Sequence, residues 1–183
     1  MGEITVEKDL GGIEGLCLIT PALHGDERGY FTETYHQADM ARAGIHALFV
    51  QDNQSLSSKG VLRGLHFQKT HPQAKLVRVI RGQVFDVAVD LRPGSPTFGR
   101  WHGEVLSEEN RRQMFIPRGF AHGFLVLSDV AEFCYKCDDF YHPEDEGGLA
   151  WDDPTVAVCW PEVDVPLLIS EKDRRNPPLS ALR

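Results

Sequence analysis

The chain has 183 residues, 42% hydrophobic and 25% charged, which is enough for one globular domain with a sizeable core. Its formal net charge of -8 speaks against a general nucleic-acid or membrane-surface binder, which normally carries a basic face. The start, Met1-Gly2-Glu3-Ile4-Thr5, has no basic segment followed by an apolar core, and no apolar run approaches membrane-spanning length, so the expectation is a soluble cytoplasmic protein without nucleic-acid or membrane partners.

Residues up to about 48 are expected to form an N-terminal arm with one short helix, Asp39–Gly44, ending at its glycine. From about 49 to 140, short β-type runs alternate with turn chemistry, and no stretch keeps a helical period. The candidate strands are Phe49–Gln54, Val61–Gln68, Lys75–Arg81, Gln83–Leu91, Arg100–Leu106, Gln113–Ile116, Gly123–Leu127 and Glu132–Cys137. Segments such as Ser57-Ser58-Lys59-Gly60 and Arg92-Pro93-Gly94-Ser95-Pro96 separate them. From about 141 the chain is rich in Pro, Asp and Glu and should wrap the barrel as a loop-rich tail with one or two short helices. The expected class is all-β, a single barrel or sandwich domain over 1–183.

Alternation indicates which polar side chains face inward. Over Glu132–Cys137, Tyr135 shares a face with Phe133 and Cys137. Over Lys75–Arg81, the set Lys75, Val77, Val79 opposes Leu76, Arg78, Ile80, so either Lys75 or Arg78 points into the barrel. His66 and Arg63 fall on opposite faces of Val61–Gln68 unless Gly64 marks a bulge. Cys17, Cys134, Cys137 and Cys159 read as free, partly buried thiols, because the lone Cys134-x-x-Cys137 lies on a strand with its two side chains on opposite faces.

A lone strand histidine is most often a satisfied core residue. An interior holding His66, Lys75, His122 and Tyr135 would instead bury several titratable groups, each costly unless paired or wetted by a cavity, and that makes the cluster a site candidate. Pro117-x-Gly119-x-x-His122 resembles the second motif of the cupins, a superfamily of small β-barrels. The first cupin motif fails, because Gly64 and Gln68 stand two residues either side of His66. Two imidazoles fall short of the three or more protein ligands a divalent site normally needs, so no metal is expected.

A narrower resemblance covers nearly the whole chain. Gly60-Val61-Leu62-Arg63-Gly64-Leu65-His66-Phe67-Gln68, Lys75-Leu76-Val77-Arg78-Val79, Val84-Phe85-Asp86-Val87-Ala88-Val89-Asp90-Leu91-Arg92, Phe120-Ala121-His122-Gly123-Phe124 and Ile169-Ser170-Glu171-Lys172-Asp173 resemble the dTDP-4-dehydrorhamnose 3,5-epimerase family. The resemblance implies a cupin-like jelly-roll barrel with short helices in the N-terminal region and the tail, a homodimer, and no metal or organic cofactor. It also implies inversion of a dTDP-linked 4-keto-6-deoxyhexose at C3 and C5. Each of those protons lies α to the ketone, so the chemistry needs a base on one face, an acid on the other and a group that stabilises the enolate oxygen.

By the same resemblance, His66 is the base and Asp173 bonds its other ring nitrogen. Tyr135 is the acid, and Lys75 stands by the C4 oxygen. His122 contacts or positions the sugar, Arg63 anchors the diphosphate, and Gln51 and Asn53 bind sugar and phosphate. Tyr141 stacks on the base, and Lys172 joins the substrate-binding set. Arg28, Phe31 and Glu33 reach the nucleotide pocket from the arm of the neighbouring subunit. Taken alone, Asp173 would read as a solvated surface charge and Tyr135 as a core tyrosine. Relatives that invert C3 only, or that act on other nucleotide-linked keto sugars, share the same His, Asp and Tyr. A ketoisomerase of the same superfamily, which moves the carbonyl between C4 and C3, is a further close alternative, and more distant ones are a metal-dependent cupin oxygenase or isomerase and a non-catalytic sugar-binding cupin.

Overall fold

The N-terminal strands β1 (Ile4–Lys8) and β2 (Cys17–Pro21) precede a small hairpin, β3 (Leu23–Asp26) and β4 (Gly29–Thr32), in a computed structural model that describes residues 3–182. Helix α1 (Gln37–Arg42) follows, and then β5 (Gln51–Ser58), β6 (Leu62–Gln68), β7 (Lys75–Arg81) and β8 (Gln83–Asp90). The series continues with β9 (Trp101–Ser107), β10 (Gln113–Ile116), β11 (Phe120–Val126), β12 (Val130–Cys137), β13 (Glu146–Gly148) and α2 (Glu171–Arg174).

Two antiparallel sheets face each other, one in the order β1-β2-β10-β7-β12-β5 and the other β13-β6-β11-β8-β9. This is the cupin-like jelly roll that the sequence suggested. Between the sheets lie Leu16, Leu18, Val77, Val79, Val84, Ala88, Leu106, Met114, Phe124 and Phe133, all buried. Each fully buried aliphatic or aromatic side chain of this kind contributes roughly 1.5–3 kcal/mol. Alternation on β7 sends Lys75, Val77 and Val79 inward, while Leu76 packs outside with Cys17, Ile19, Met40, Ile45 and Phe115.

The barrel does not begin near residue 49, because β1 and β2 belong to the six-stranded sheet. β2 is covered on both faces, with Leu18 in the inter-sheet core and Cys17 and Ile19 under α1, so it shows no polar alternation to read. Helix α1 starts two residues earlier than expected, capped by His36, whose Nδ1 accepts from the Asp39 N–H at 3.4 Å. Buried Met40 pins the helix to the sheet. The tail packs Leu149, Val156 and Leu179 on the outer face of the five-stranded sheet, against Leu65, Val87, Val89 and Ala121. That path brings α2 back over β6. No helix among the described residues is long and apolar enough to cross a membrane.

Candidate active site

A cavity of about 410 Å³ opens between the sheets, and its lining includes Gln51, Asn53, Arg63, His66, Lys75, His122, Tyr135, Tyr141 and Glu146. His66 and His122 come from the five-stranded sheet, while Lys75 and Tyr135 come from the six-stranded one, so the two sets face each other. A larger open groove of about 810 Å³ runs past Glu33, His36, Asp39 and Arg42. Its Glu33, His36 and Asp39 ligand atoms lie within 4.8 Å of one another, but Arg42 already pairs with Asp39. The acid–base groups converge in the smaller cavity.

His66 Nε2 lies 2.6 Å from Asp173 Oδ1. Asp173 is 5% exposed, and its Oδ2 accepts from the Gly64 N–H at 3.2 Å. Ser170 caps α2 by accepting from the Asp173 N–H at 3.0 Å, which sets the carboxylate behind the imidazole. Burial alone would raise the Asp173 pKa, but the His66 bond, the His66 charge and the Gly64 N–H outweigh it and hold the carboxyl below its ordinary value. With Nε2 committed to the aspartate, Nδ1 is the ring nitrogen left to the cavity.

Arg63 also lines the cavity, so the bulge at Gly64 is real. Gly64 has φ of 129°, and the β6–β11 register shifts between His122 and Phe124. A Cβ at Gly64 would stand 2.7 Å from the Gly123 Cα, so only glycine lets the two strands approach here. Arg63 Nε donates to Ser57 Oγ at 3.0 Å. His122 is the register partner of His66 on the adjacent strand, and its Nε2 lies 2.8 Å from Asp86 Oδ1.

Across the cavity, Lys75 Nζ sits 5.8 Å from the centroid of the Tyr135 ring. Burial pulls the Lys75 ammonium below its ordinary value, against the opposing charges of Asp86 and Glu146. Burial pushes the Tyr135 phenol up, which keeps it protonated at neutral pH. Gln51 Nε2 donates to Asn53 Oδ1 at 3.1 Å, and Gln51 Oε1 accepts from the Tyr141 N–H at 2.9 Å. Tyr141, half exposed at the cavity's edge, donates from its hydroxyl to Glu146 Oε2 at 2.7 Å.

Lys172 does not line the cavity, and its Nζ lies 2.6 Å from Glu146 Oε2. Arg28, Phe31 and Glu33 do not line the cavity of their own chain either. Arg28 pairs with Asp26 in the β3–β4 hairpin, and Phe31 beside it is 66% exposed. Sequence reasoning missed Glu146, Asp86 and Cys137. Asp86 carried a signal, because it shares an inward face with Val84 and Ala88, whereas Glu146 sits in a Glu-Gly-Gly strand that no β pattern announces.

Comparison with known proteins adds an independent line. Residues 11–181 match the profile of the family described as dTDP-4-dehydrorhamnose 3,5-epimerase. The dTDP-4-dehydrorhamnose 3,5-epimerase of Methanothermobacter thermautotrophicus is 56% identical over 168 residues, covering 91% of each chain. The crystal structure of the Legionella pneumophila dTDP-6-deoxy-D-glucose-3,5-epimerase with dTDP-4-keto-L-rhamnose superposes with a TM-score of 0.94 at 48% identity, covering 99% of this chain and 95% of that one. A 3'-monoepimerase of Streptomyces bikiniensis in complex with dTDP-quinovose is more distant, at 34% identity and a TM-score of 0.84 over 91% of this chain and 85% of that one.

Proposed function

The chain belongs to the dTDP-4-dehydrorhamnose 3,5-epimerase family, and from that membership we infer how its residues divide the reaction. It is an isomerase of dTDP-rhamnose biosynthesis that takes a nucleotide-sugar substrate, dTDP-4-dehydro-6-deoxy-D-glucose, and inverts C3 and C5 to give dTDP-4-dehydro-L-rhamnose.

His66 Nδ1 removes the proton α to the C4 ketone, and Asp173 steadies the imidazolium that results. Lys75 stabilises the enolate oxygen, His122 contacts or positions the sugar, and Tyr135 returns a proton from the opposite wall. A buried phenol suits that step, since it stays protonated until the carbanion accepts. Arg63 takes the diphosphate with its planar fork, Gln51 and Asn53 hold sugar and phosphate, and Tyr141 stacks on the thymine. Lys172 serves the same end of the site by holding Glu146 against Tyr141. The reaction so divided calls for no metal and no organic cofactor.

The observation that carries this reading is the placement of His66 and Tyr135 on opposing sheets around one cavity, with Asp173 behind the histidine. We place the enzyme in the cytoplasm, in keeping with four free cysteines. We also read it as a homodimer in which Arg28, Phe31 and Glu33 complete the neighbour's nucleotide pocket. Tyr30 and Phe31, 61% and 66% exposed on the same hairpin, support that exchange. The test is the stereochemistry of the product from dTDP-4-keto-6-deoxyglucose by NMR. Inversion at both carbons is expected, and inversion at C3 alone, or turnover abolished by EDTA, overturns the reading.

A further inference from the structure

We propose that Asp86 is a positioning residue of the enolate pocket, holding His122 in one tautomer beside Lys75 and supplying the buried negative charge that balances this cationic corner before the sugar oxygen becomes anionic. The inference rests on the functional reading above. Asp86 is 0% exposed on the inward face of β8, at a position where its neighbours Val84 and Ala88 belong to the apolar core. Its Oδ1 is bonded to His122, and its Oδ2 has no hydrogen-bond partner among the described residues. A buried carboxylate with one empty oxygen is costly unless a hydrogen-bond donor or a cation faces it; His122 supplies the donor, and Lys75 is the inward cation.

The other ionisable groups around the corner are already committed or neutral. On β9, Glu104 is the register partner of Asp86, but His102 Nε2 lies 2.7 Å from its Oε1. On β12, burial pushes the Cys137 thiol up to about 11, so it is uncharged at neutral pH and cannot balance Lys75, and the Tyr135 phenol is likewise neutral. Glu146 on β13 is shared between Lys172 and Tyr141. Asp86 is therefore the carboxylate left to face Lys75. Burial outweighs the neighbouring groups and leaves its pKa raised, so the His122 bond and the Lys75 charge are what favour its ionised form. Because Asp86 takes His122 Nε2, Nδ1 is presented to the cavity, as Asp173 does for His66 one strand away.

Asp86→Asn in the full-length protein tests the assignment. Affinity for dTDP, measured by calorimetry, should stay within about twofold, because the nucleotide end of the site is untouched. The kcat should fall about 10²-fold, the scale of losing one preorganised oxyanion donor. The alkaline limb of the kcat profile should move to lower pH, since Lys75 loses a counter-charge. A kcat within threefold of wild type with an unmoved alkaline limb overturns the proposal. Should the variant not fold, the ¹⁵N spectrum of His122 in the wild-type protein decides: a proton on Nε2 is expected, and a proton on Nδ1 alone overturns it. Wild-type protein that inverts neither carbon overturns the functional reading instead, and the His122 spectrum still decides which nitrogen Asp86 holds.

Discussion

His66 and Asp173 are 107 positions apart in the chain and 2.6 Å apart in space, because the tail crosses the outer face of one sheet and delivers α2 to the back of β6. The aspartate fixes the imidazole with Nδ1 facing the cavity. Asp173→Asn keeps the volume but removes the charge and the preference for that tautomer. We expect kcat to fall by about 10²–10⁴-fold with KM changed far less. A KM effect of equal size would make Asp173 a substrate-binding group.

Gly64 decides whether Arg63 and His66 can serve one cavity. Its φ of 129° and the 2.7 Å approach of a built Cβ to the Gly123 Cα leave no room for a side chain. Gly64→Ala should lower stability by about 1–3 kcal/mol and weaken both dTDP affinity and turnover. Thermal melts and calorimetry would check this, and a variant with unchanged melting and affinity would contradict it.

Lys172 acts through Glu146. The pair is largely solvent-exposed on the lysine side, at 64%, so its direct contribution to stability is small, within about 0–1 kcal/mol. Lys172→Ala should raise KM several-fold by loosening Tyr141, with kcat within about threefold. The double charge swap Lys172→Glu, Glu146→Lys should recover part of the loss if the pair acts as a pair. No recovery at all would point to direct contact of Lys172 with substrate.

Acid stability is set partly by Asp90. Its carboxylate accepts from Arg92 N, Nε and Nη2, from Ser95 Oγ and from Thr97 Oγ1, which together outweigh burial and hold it well below the usual carboxylate range. A group depressed in the folded state adds stability that is fully present above its unfolded pKa, about 3.9, and is lost as pH falls toward the folded value. Asp90→Asn should cost about 1–3 kcal/mol at pH 7, with the difference from wild type shrinking below about pH 4. Urea midpoints at the two pH values would check this, and a gap that widens in acid would contradict it.

β5, β7 and β12 were legible because half-buried strands alternate in polarity, and parity alone put Tyr135 beside Phe133 and chose Lys75 and Arg78 for opposite faces, whereas β10 and β11, buried throughout, were legible as short apolar runs between turn residues. β2 was not read as a strand: burial on both faces removes its alternation, and it lies in the stretch expected to be an N-terminal arm. β13 was hidden for the opposite reason: it pairs along the edge of β6 through Glu146, Gly147 and Gly148, residues with little β propensity. Glu146 was lost with it. Asp173 could be assigned only through the Ser-x-Lys-Asp resemblance, because nothing local distinguishes a carboxylate that will be buried 107 positions away from one that stays in water. A bulge at Gly64 was the condition under which Arg63 and His66 could share a site, and the register shift there accounts for the shared cavity.

The most direct measurement is solvent deuterium at C3 and C5 of dTDP-4-keto-6-deoxyglucose, read by NMR for wild type, His66→Asn and Tyr135→Phe. Wild type should label and invert both carbons. His66→Asn should do neither, and Tyr135→Phe should keep exchange at C3 while losing inversion. Exchange that survives in His66→Asn, or equal loss of exchange and inversion in Tyr135→Phe, would contradict a base and an acid on opposite walls.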